Sequence, residues 1–436
     1  MTEQMNVPKL RFGEFTSSWV SSKLGKLSAI RSASRVHREQ WTDTGVPFFR
    51  SSDVVAAYKG SDNNKAFISY DLFEELSEKS GKPKKDDLLV TGGGSIGIPY
   101  LIPNDDPLYF KDADLLWFKN KKALDGYFLY EFLTTSKFRR YLASITHTGT
   151  ISHYTIEQAK STPITLPELA EQQKIASFLS KVDEKIALLT EKKAKLTEYK
   201  KGVMQQLFDG SFQEQDGKLV FLPPTLRFKA DDGSEFPDWE GRQLSDFVIN
   251  HRGGAPLKPS DFVKLSEYEV IPKKAIQAGG RLILDSRNPT YCSKEFFQSY
   301  QKNVVDSDYL ITTLRDLVPS GPTIGYIVEN KCKYELLLAQ GVYGFKIKRE
   351  LNSTFLIQWS NTSDYRKLMQ RLIVGSTQVH IRNEDFFGME LLVPTFAEQT
   401  KIADFLSSID QKIDLANLEL DKAKEWKKGL LQQMFV

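Results

Sequence analysis

Cysteine is nearly missing from this chain of 436 residues: only Cys292 and Cys332 occur, too few and too far apart for a disulfide framework. Five histidines and two separated cysteines make no zinc cluster. No G-x-x-x-x-G-K-[ST] loop is present, which excludes an ATPase site of that kind. No apolar run is long enough to span a bilayer and no signal peptide is evident, so a cytoplasmic protein is expected. A dominant charge is missing as well. The net charge is +3; residues 1–165 carry 22 basic and 19 acidic groups, and residues 211–393 carry 23 of each. Non-specific affinity for nucleic acid comes largely from neutralising phosphates. A chain this balanced holds DNA weakly by itself, so a role on DNA has to be shared with a partner.

What is present is a repeat. Residues 167–208 read P-E-L-A-E-Q-Q-K-I-A-S-F-L-S-K-V-D-E-K-I…Y-K-K-G-V-M-Q-Q-L-F, and residues 394–435 read P-T-F-A-E-Q-T-K-I-A-D-F-L-S-S-I-D-Q-K-I…W-K-K-G-L-L-Q-Q-M-F. The copies align without a gap at an offset of 227 residues, Pro167 onto Pro394, with about half the positions identical. Two units are too few for a solenoid. In the first copy Ile175, Phe178, Val182, Ile186, Leu189, Leu196, Tyr199, Val203 and Leu207 recur at steps of three, four or seven. Their counterparts are Ile402, Phe405, Ile409, Ile413, Ala416, Ala423, Trp426, Leu430 and Met434. This spacing predicts two long helices, each with one coiled-coil-like stripe. The other helix is the nearest partner for each stripe, which makes Ile175, Phe178, Val182, Ile186, Leu196, Tyr199, Val203, Ile402, Phe405, Ile409, Ile413, Trp426 and Leu430 the expected interface. Gly202 and Gly429 fall at matching places, where glycine costs ~0.5–1 kcal/mol relative to alanine; a close helix–helix approach is the expected reason.

The segments before the helices also correspond. Pro8-Lys9-Leu10-Arg11-Phe12 matches Pro224-Thr225-Leu226-Arg227-Phe228, and Asp87-Leu88-Leu89-Val90-Thr91 matches Asp308-Tyr309-Leu310-Ile311-Thr312. Ser95-Ile96-Gly97 matches Thr323-Ile324-Gly325, Phe128 through Arg139 pairs with Phe355 through Arg366, and Thr150…His153 pairs with Thr377…His380. Residues 28–80 and 248–300 share little. Short apolar runs bounded by Gly, Pro and Asp predict mostly β heads, with helices near 125–144 and 352–373. Asp209-Gly210-Ser211 stops the first helix, and Gly217 and Pro223-Pro224 mark a short exposed linker. The fold class is therefore α+β: two similar mostly-β domains joined by two long antiparallel helices that form a coiled coil, with an approximate two-fold axis. The divisions are 1–165, helix segment 166–210, 211–392 with its linker at 211–223, and helix segment 393–436.

Catalytic motifs fail on inspection. Gly92-Gly93-Gly94-Ser95-Ile96-Gly97 fits G-x-G-x-x-G after a strand-like run, but Pro99 forbids the helix that a dinucleotide or methyl-donor site needs there. A tight turn between strands is the better reading. Asn288-Pro289-Thr290-Tyr291 lacks the second proline of the adenine methyltransferase motif Asn-Pro-Pro-aromatic.

The order of variable segment, helix with A-E-Q-x-K-I-A-x-F-L, variable segment and the same helix again resembles the specificity subunit of type I restriction–modification systems. Gly45-Val46-Pro47-Phe48-Phe49-Arg50-Ser51-Ser52-Asp53-Val54 is similar to that family's pattern, although the second half has no clear copy of it. The resemblance implies a non-catalytic subunit that reads double-stranded DNA for others. Each head would be a target-recognition domain for half of an asymmetric, interrupted site. The helices would space the halves and dock two methyltransferase subunits, and two restriction–translocase subunits would join for cleavage. No cofactor is expected here; the methyl donor, ATP and magnesium would sit on the partners. Reading bases through the major groove needs Arg, Lys, Asn, Gln, Ser and Thr on rigidly held loops. The candidates are Arg31, Arg35, Arg38, Arg50 and His153 in the first head, and Arg252, Lys258, Arg315 and His380 in the second. A coiled-coil adaptor that binds no nucleic acid would explain the helices, but not two like-folded heads with divergent surfaces.

Overall fold

The computed structural model describes residues 7–112, 114–145, 153–215 and 218–436. Two compact units emerge, residues 1–191 with 417–436 and residues 192–416. Both divisions fall partway along the predicted helices, which run Leu169–Leu207 and Phe396–Met434 and have 39 residues each. Each unit thus holds one head, the start of one long helix and the end of the other.

That composition follows from the apolar stripes. In the first unit Ile175, Ala176, Leu179 and Val182 share a core with Leu430, Met434 and Phe435. In the second unit Ile402, Ala403, Leu406, Ile409 and Ile413 share a core with Val203, Met204 and Leu207. Start lies with end in both, the antiparallel pairing expected from the repeat. The head fills the rest of each stripe: Trp19, Phe128 and Leu129 belong to the first core, and Phe128 stands 5.0 Å from Phe435. The interface expectation needs one correction. Tyr199 is 54% exposed; Trp426 is 49% exposed as well, yet it keeps its place in the helix pair by packing edge-on to Phe178, with ring centroids 6.1 Å apart. The next residue turns inward instead: Lys200 reaches Asp410 and Lys427 reaches Asp183, each at 2.7 Å. Successive helical residues point about 100° apart, so one turning in sends its neighbour out.

The repeated motif is legible as bonds. Arg11 grips Glu171 with Nε and Nη2, both at 2.7 Å, and Arg227 grips Glu398 in the same way at 2.9 and 3.1 Å. Both glutamates are buried, so the bidentate arginine is what makes their burial tolerable. The adjoining glutamines tie the head to the helix. Gln172 accepts from Asp125 N and donates to the carbonyls of Ala123 and Pro167; Gln399 accepts from Asn352 N and donates to those of Glu350 and Pro394. Phe12 packs edge-on to Phe178, and Phe228 to Phe405.

The central sheets of the heads have one topology. In the first head the strands lie in the order Ser28–Arg31, Leu115–Asn120, Leu88–Thr91, Pro99–Leu101; in the second the order is Val248–Gly253, Val342–Ile347, Leu310–Thr313, Ile327–Glu329. Every neighbouring pair in both sheets is antiparallel. Helices Gly126–Thr134 and Ser136–Ile145, matched by Ser353–Trp359 and Ser363–Leu372, fall where the sequence placed them. Divergence is confined to the added sheets. The first head adds four strands, Trp41–Thr42, Ala66–Ile68, Val46–Phe49 and Tyr109–Phe110; the second adds a three-stranded sheet and separate two-stranded ribbons. The linker is more structured than expected. Ser211–Gln215 and Lys218–Leu222 pair as antiparallel strands, and Gly217 lies outside the described residues.

Candidate nucleic-acid interface

The turn that mimicked a nucleotide motif is a rigid scaffold element. Strands Leu88–Thr91 and Pro99–Leu101 flank it, and Gly94 and Gly97 adopt φ of 68° and 71°, a region open to glycine but strained for other residues. Arg139 Nη1 donates to Ile96 O at 3.2 Å, and Arg366 Nη1 donates to Ile324 O at 2.6 Å. One arginine therefore pins the same turn in each head. The segment after each central strand then meets the histidine-bearing segment. In the first head this is a bridge from Gly93 to His153; in the second it is a short ribbon, Arg315–Asp316 against Val379–His380.

That ribbon brings two second-head candidates together, since Arg315 lies directly opposite His380. A third basic residue joins them. A side chain at Gly341 (φ 85°) would meet Lys273 Cε at 2.8 Å and Arg315 Cβ at 3.0 Å, so this glycine lets both basic chains converge. Asp316 borders the group. Burial pushes its carboxyl up, but donors from Val318 N and Thr323 Oγ1 outweigh it and hold it below the usual range. Lys273 is not among the candidates read from the sequence, because Arg315, which it approaches, lies far along the chain. The other second-head candidates stand apart. Arg252 donates to the carbonyls of Gln301 and Val304 and lies over the Tyr309 ring at 5.1 Å, so it fastens the sheet edge. Lys258 is exposed at the entry to the turn Pro259–Asp261.

In the first head Arg31, Arg35 and Arg38 are exposed along one run, and among the described residues none makes an ion pair. The run is not slack. Ser34 N is held by Ser80 Oγ at 3.1 Å and Tyr109 Oη at 3.0 Å, and Val36 is buried beside Val46 and Phe48. Three free guanidinium groups on a fastened loop suit contact with phosphate or base edges. Arg50 has a different task. It donates to Asp53 from Nε at 2.8 Å and Nη2 at 3.1 Å and to Asn64 O, bonds that raise its own pKa and lock the helix Ser51–Lys59. His153 is exposed beside Gly93.

The long helices display a second set of matched surface residues. Leu188, Trp426 and Gly429 lie in the first unit, and their repeat equivalents Leu415, Tyr199 and Gly202 in the second. The expected close helix approach at the glycines is not found: a Cβ at Gly202 or Gly429 would meet nothing within 4 Å. Each unit thus presents an exposed leucine, an exposed aromatic ring and an uncrowded glycine.

The model of the type I restriction modification DNA specificity domain matches this chain twice, at residues 16–198 and 237–425. The type I restriction enzyme MjaVIII specificity subunit of Methanocaldococcus jannaschii is 26% identical over 318 residues, 72% of this chain and 70% of that protein. The putative MjaX specificity subunit of the same organism is 25% identical over 323 residues, 73% and 69% of the two chains. Among solved structures, the type I restriction–modification S subunit from M. genitalium covers 99% of both chains with a TM-score of 0.58 at 16% identity.

Proposed function

The chain belongs to the type I restriction–modification DNA specificity family, and we propose on that premise that its two heads read the two halves of an asymmetric, interrupted DNA site. It is a specificity subunit, a non-catalytic component of the restriction–modification complex. The first head reads with the arginine run 31–38, and the second with the group made by Arg315, His380 and Lys273. The matched helix surfaces dock two methyltransferase subunits, and two restriction–translocase subunits join for cleavage. Methyl donor, ATP and magnesium belong to those partners.

One observation carries this reading: a scaffold duplicated down to single bonds bears two unlike added sheets. Arg11–Glu171 and Arg227–Glu398, and the turn-pinning Arg139 and Arg366, repeat, whereas residues 28–80 and 248–300 do not. Equivalent frames suit two identical partners; unlike surfaces suit two different half-sites. Balanced charge fits a subunit that holds DNA firmly only within a complex.

The test is to express the chain with its methyltransferase and map methylated positions. Exchanging residues 1–160 for another family member's first head should change one half of the motif and leave the other intact. Change in both halves, or methylation by the purified chain alone, would overturn the assignment.

A further inference from the structure

Between the first head and the long helices, within the first unit, lies an open cavity of about 540 Å³. Tyr58 and Thr134 line it from the head, Ile186 from the first long helix, and Lys424, Lys428 and Leu431 from the second. The floor is settled electrostatically. Lys427 stands 2.8 Å from Glu131 and 2.7 Å from Asp183, and Tyr127 Oη donates to Asp183 at 2.5 Å. The rim is not. Lys424 and Lys428 are exposed, and among the described residues neither has an acidic partner.

The second unit shows what such a place holds when filled. By the offset that aligns the helices, Tyr130, Thr134 and Ala187 correspond to Ile357, Asn361 and Asp414. There the chain's own turn at Gly279-Gly280-Arg281 is seated. Gly279 N donates to Asn361 Oδ1 at 2.6 Å, and Gly280 packs so closely on Ile357 that a side chain would collide with it. Arg281 pairs with Asp414 at 3.5 Å. A basic turn is thus matched to an acidic helix position. In the first unit the head reaches this place with Tyr58, which lines the cavity without filling it, Ala187 replaces the aspartate, and two lysines with no acidic partner among the described residues form the rim.

We propose that this cleft in the first unit receives an acidic turn of a partner protein, its carboxylates paired with Lys424 and Lys428, where the second unit uses its own Gly279–Arg281 turn. The proposal rests on the reading of this chain as a docking subunit and makes the partner the methyltransferase subunit bound to the first unit. A polypeptide fits better than DNA because the filled counterpart holds a chain turn, and because Ile186 and Leu431 supply apolar wall that phosphate would not use. The two docking faces are then alike along the helices but unequal in this one cleft.

The full chain would be titrated with its methyltransferase subunit, and the bound number read by native mass spectrometry at physiological salt. Reversing the rim with the double variant K424E/K428E should weaken one of two partner sites by roughly tenfold or more. Thr134→Trp, which fills the cleft without changing charge, should do the same. The matched reversal T197E/K201E in the second unit should leave both partners bound. Circular dichroism and melting would confirm that each variant is folded; the lysines are exposed, so the charge reversal decides the matter even if Thr134→Trp unfolds. Two partners retained at wild-type affinity by K424E/K428E would overturn the proposal. So would loss of duplex-DNA binding by the chain alone with partner number unchanged, which would make the cleft a phosphate site. A wild-type chain that binds no methyltransferase subunit at all would sink the docking reading itself and this proposal with it.

Discussion

Where the end of one long helix meets the head, the two units place the same pair and a different third residue. The second unit has Lys200, Asp410 and Gln358, with Gln358 Nε2 donating to Asp410 at 2.8 Å. The first has Lys427, Asp183 and Glu131, so a carboxyl takes the glutamine's place. A buried lysine with one carboxylate and an amide is balanced in charge. A partly buried lysine with two carboxyls is not, and burial is the main reason that the Glu131 pKa rises, to about 7; the neighbouring Asp183 adds to the rise and Lys427 opposes it. One duplicated bond therefore sits in two electrostatic settings. The repeat fixes the geometry, while a single substitution decides whether the junction senses pH.

The largest expected effect would show whether the units share their clamp in energy as well as geometry. Glu398→Ala leaves Arg227 beside a buried vacancy and should cost about 3 kcal/mol or more, because one partner of a buried pair is removed. Glu171→Ala should cost somewhat more, since Glu171 also accepts from Trp19 Nε1 at 3.2 Å whereas the indole of Trp239 makes no such bond. Denaturant unfolding of each variant would measure both. Equal losses would show that the tryptophan bond contributes nothing.

Next comes the pH response of the first unit. Between the ordinary carboxylate value and about 7, folded Glu131 keeps a proton that the unfolded chain has released. Stability of that unit should therefore fall as pH rises across this window, by roughly 2 kcal/mol, and level off above it. Asp183, Lys427, Tyr127 and Tyr130 are the titratable groups around it. Glu131→Gln copies the second unit and should abolish the slope while stabilising the protein at pH 8. Thermal unfolding from pH 5 to 8 checks this; an unaltered slope in the variant would assign the pH dependence elsewhere.

Asp410→Asn should be worse tolerated than Asp183→Asn, by about 1 kcal/mol, because Lys200 loses its only carboxylate among the described residues while Lys427 keeps Glu131. Comparing the two melting curves at pH 7 would settle the order. The smallest effect concerns the glycines. Gly202→Ala and Gly429→Ala should each stabilise the isolated chain by ~0.5–1 kcal/mol, since a Cβ meets nothing there and helical glycine is costly. If either instead reduces methyltransferase binding, the glycine is kept for a partner.

Much of the frame was legible in the sequence because helical periodicity and an internal repeat are local signals. The long helices, the paired shorter helices and the tight turn after Thr91 were all read from spacing and turn residues. The inward lysines were not. Apolar periodicity put Tyr199 and Trp426 on the buried stripe, but Lys200 and Lys427 turn inward to Asp410 and Asp183, which leaves Tyr199 exposed and Trp426 only half covered, edge-on to Phe178. The candidate basic residues divided in a way that spacing could not show. Arg50 and Arg252 are taken up by local bonds, whereas Arg315 and His380 meet across a ribbon that depends on strand register.

The sequence by itself determined that the chain is two copies of one plan, because a 42-residue match with helical spacing leaves few other foldings. It also marked the surfaces that differ, since residues 28–80 and 248–300 have no counterpart in each other. Only the tertiary structure decided which charges are spent on the scaffold and which remain for a ligand. That choice depends on partners distant in sequence: Glu171 for Arg11, Asp183 for Lys427, and Asn361 for the turn at Gly279. Pairing of this kind is set by how sheets and helices close on one another, and no pattern within a single segment encodes it.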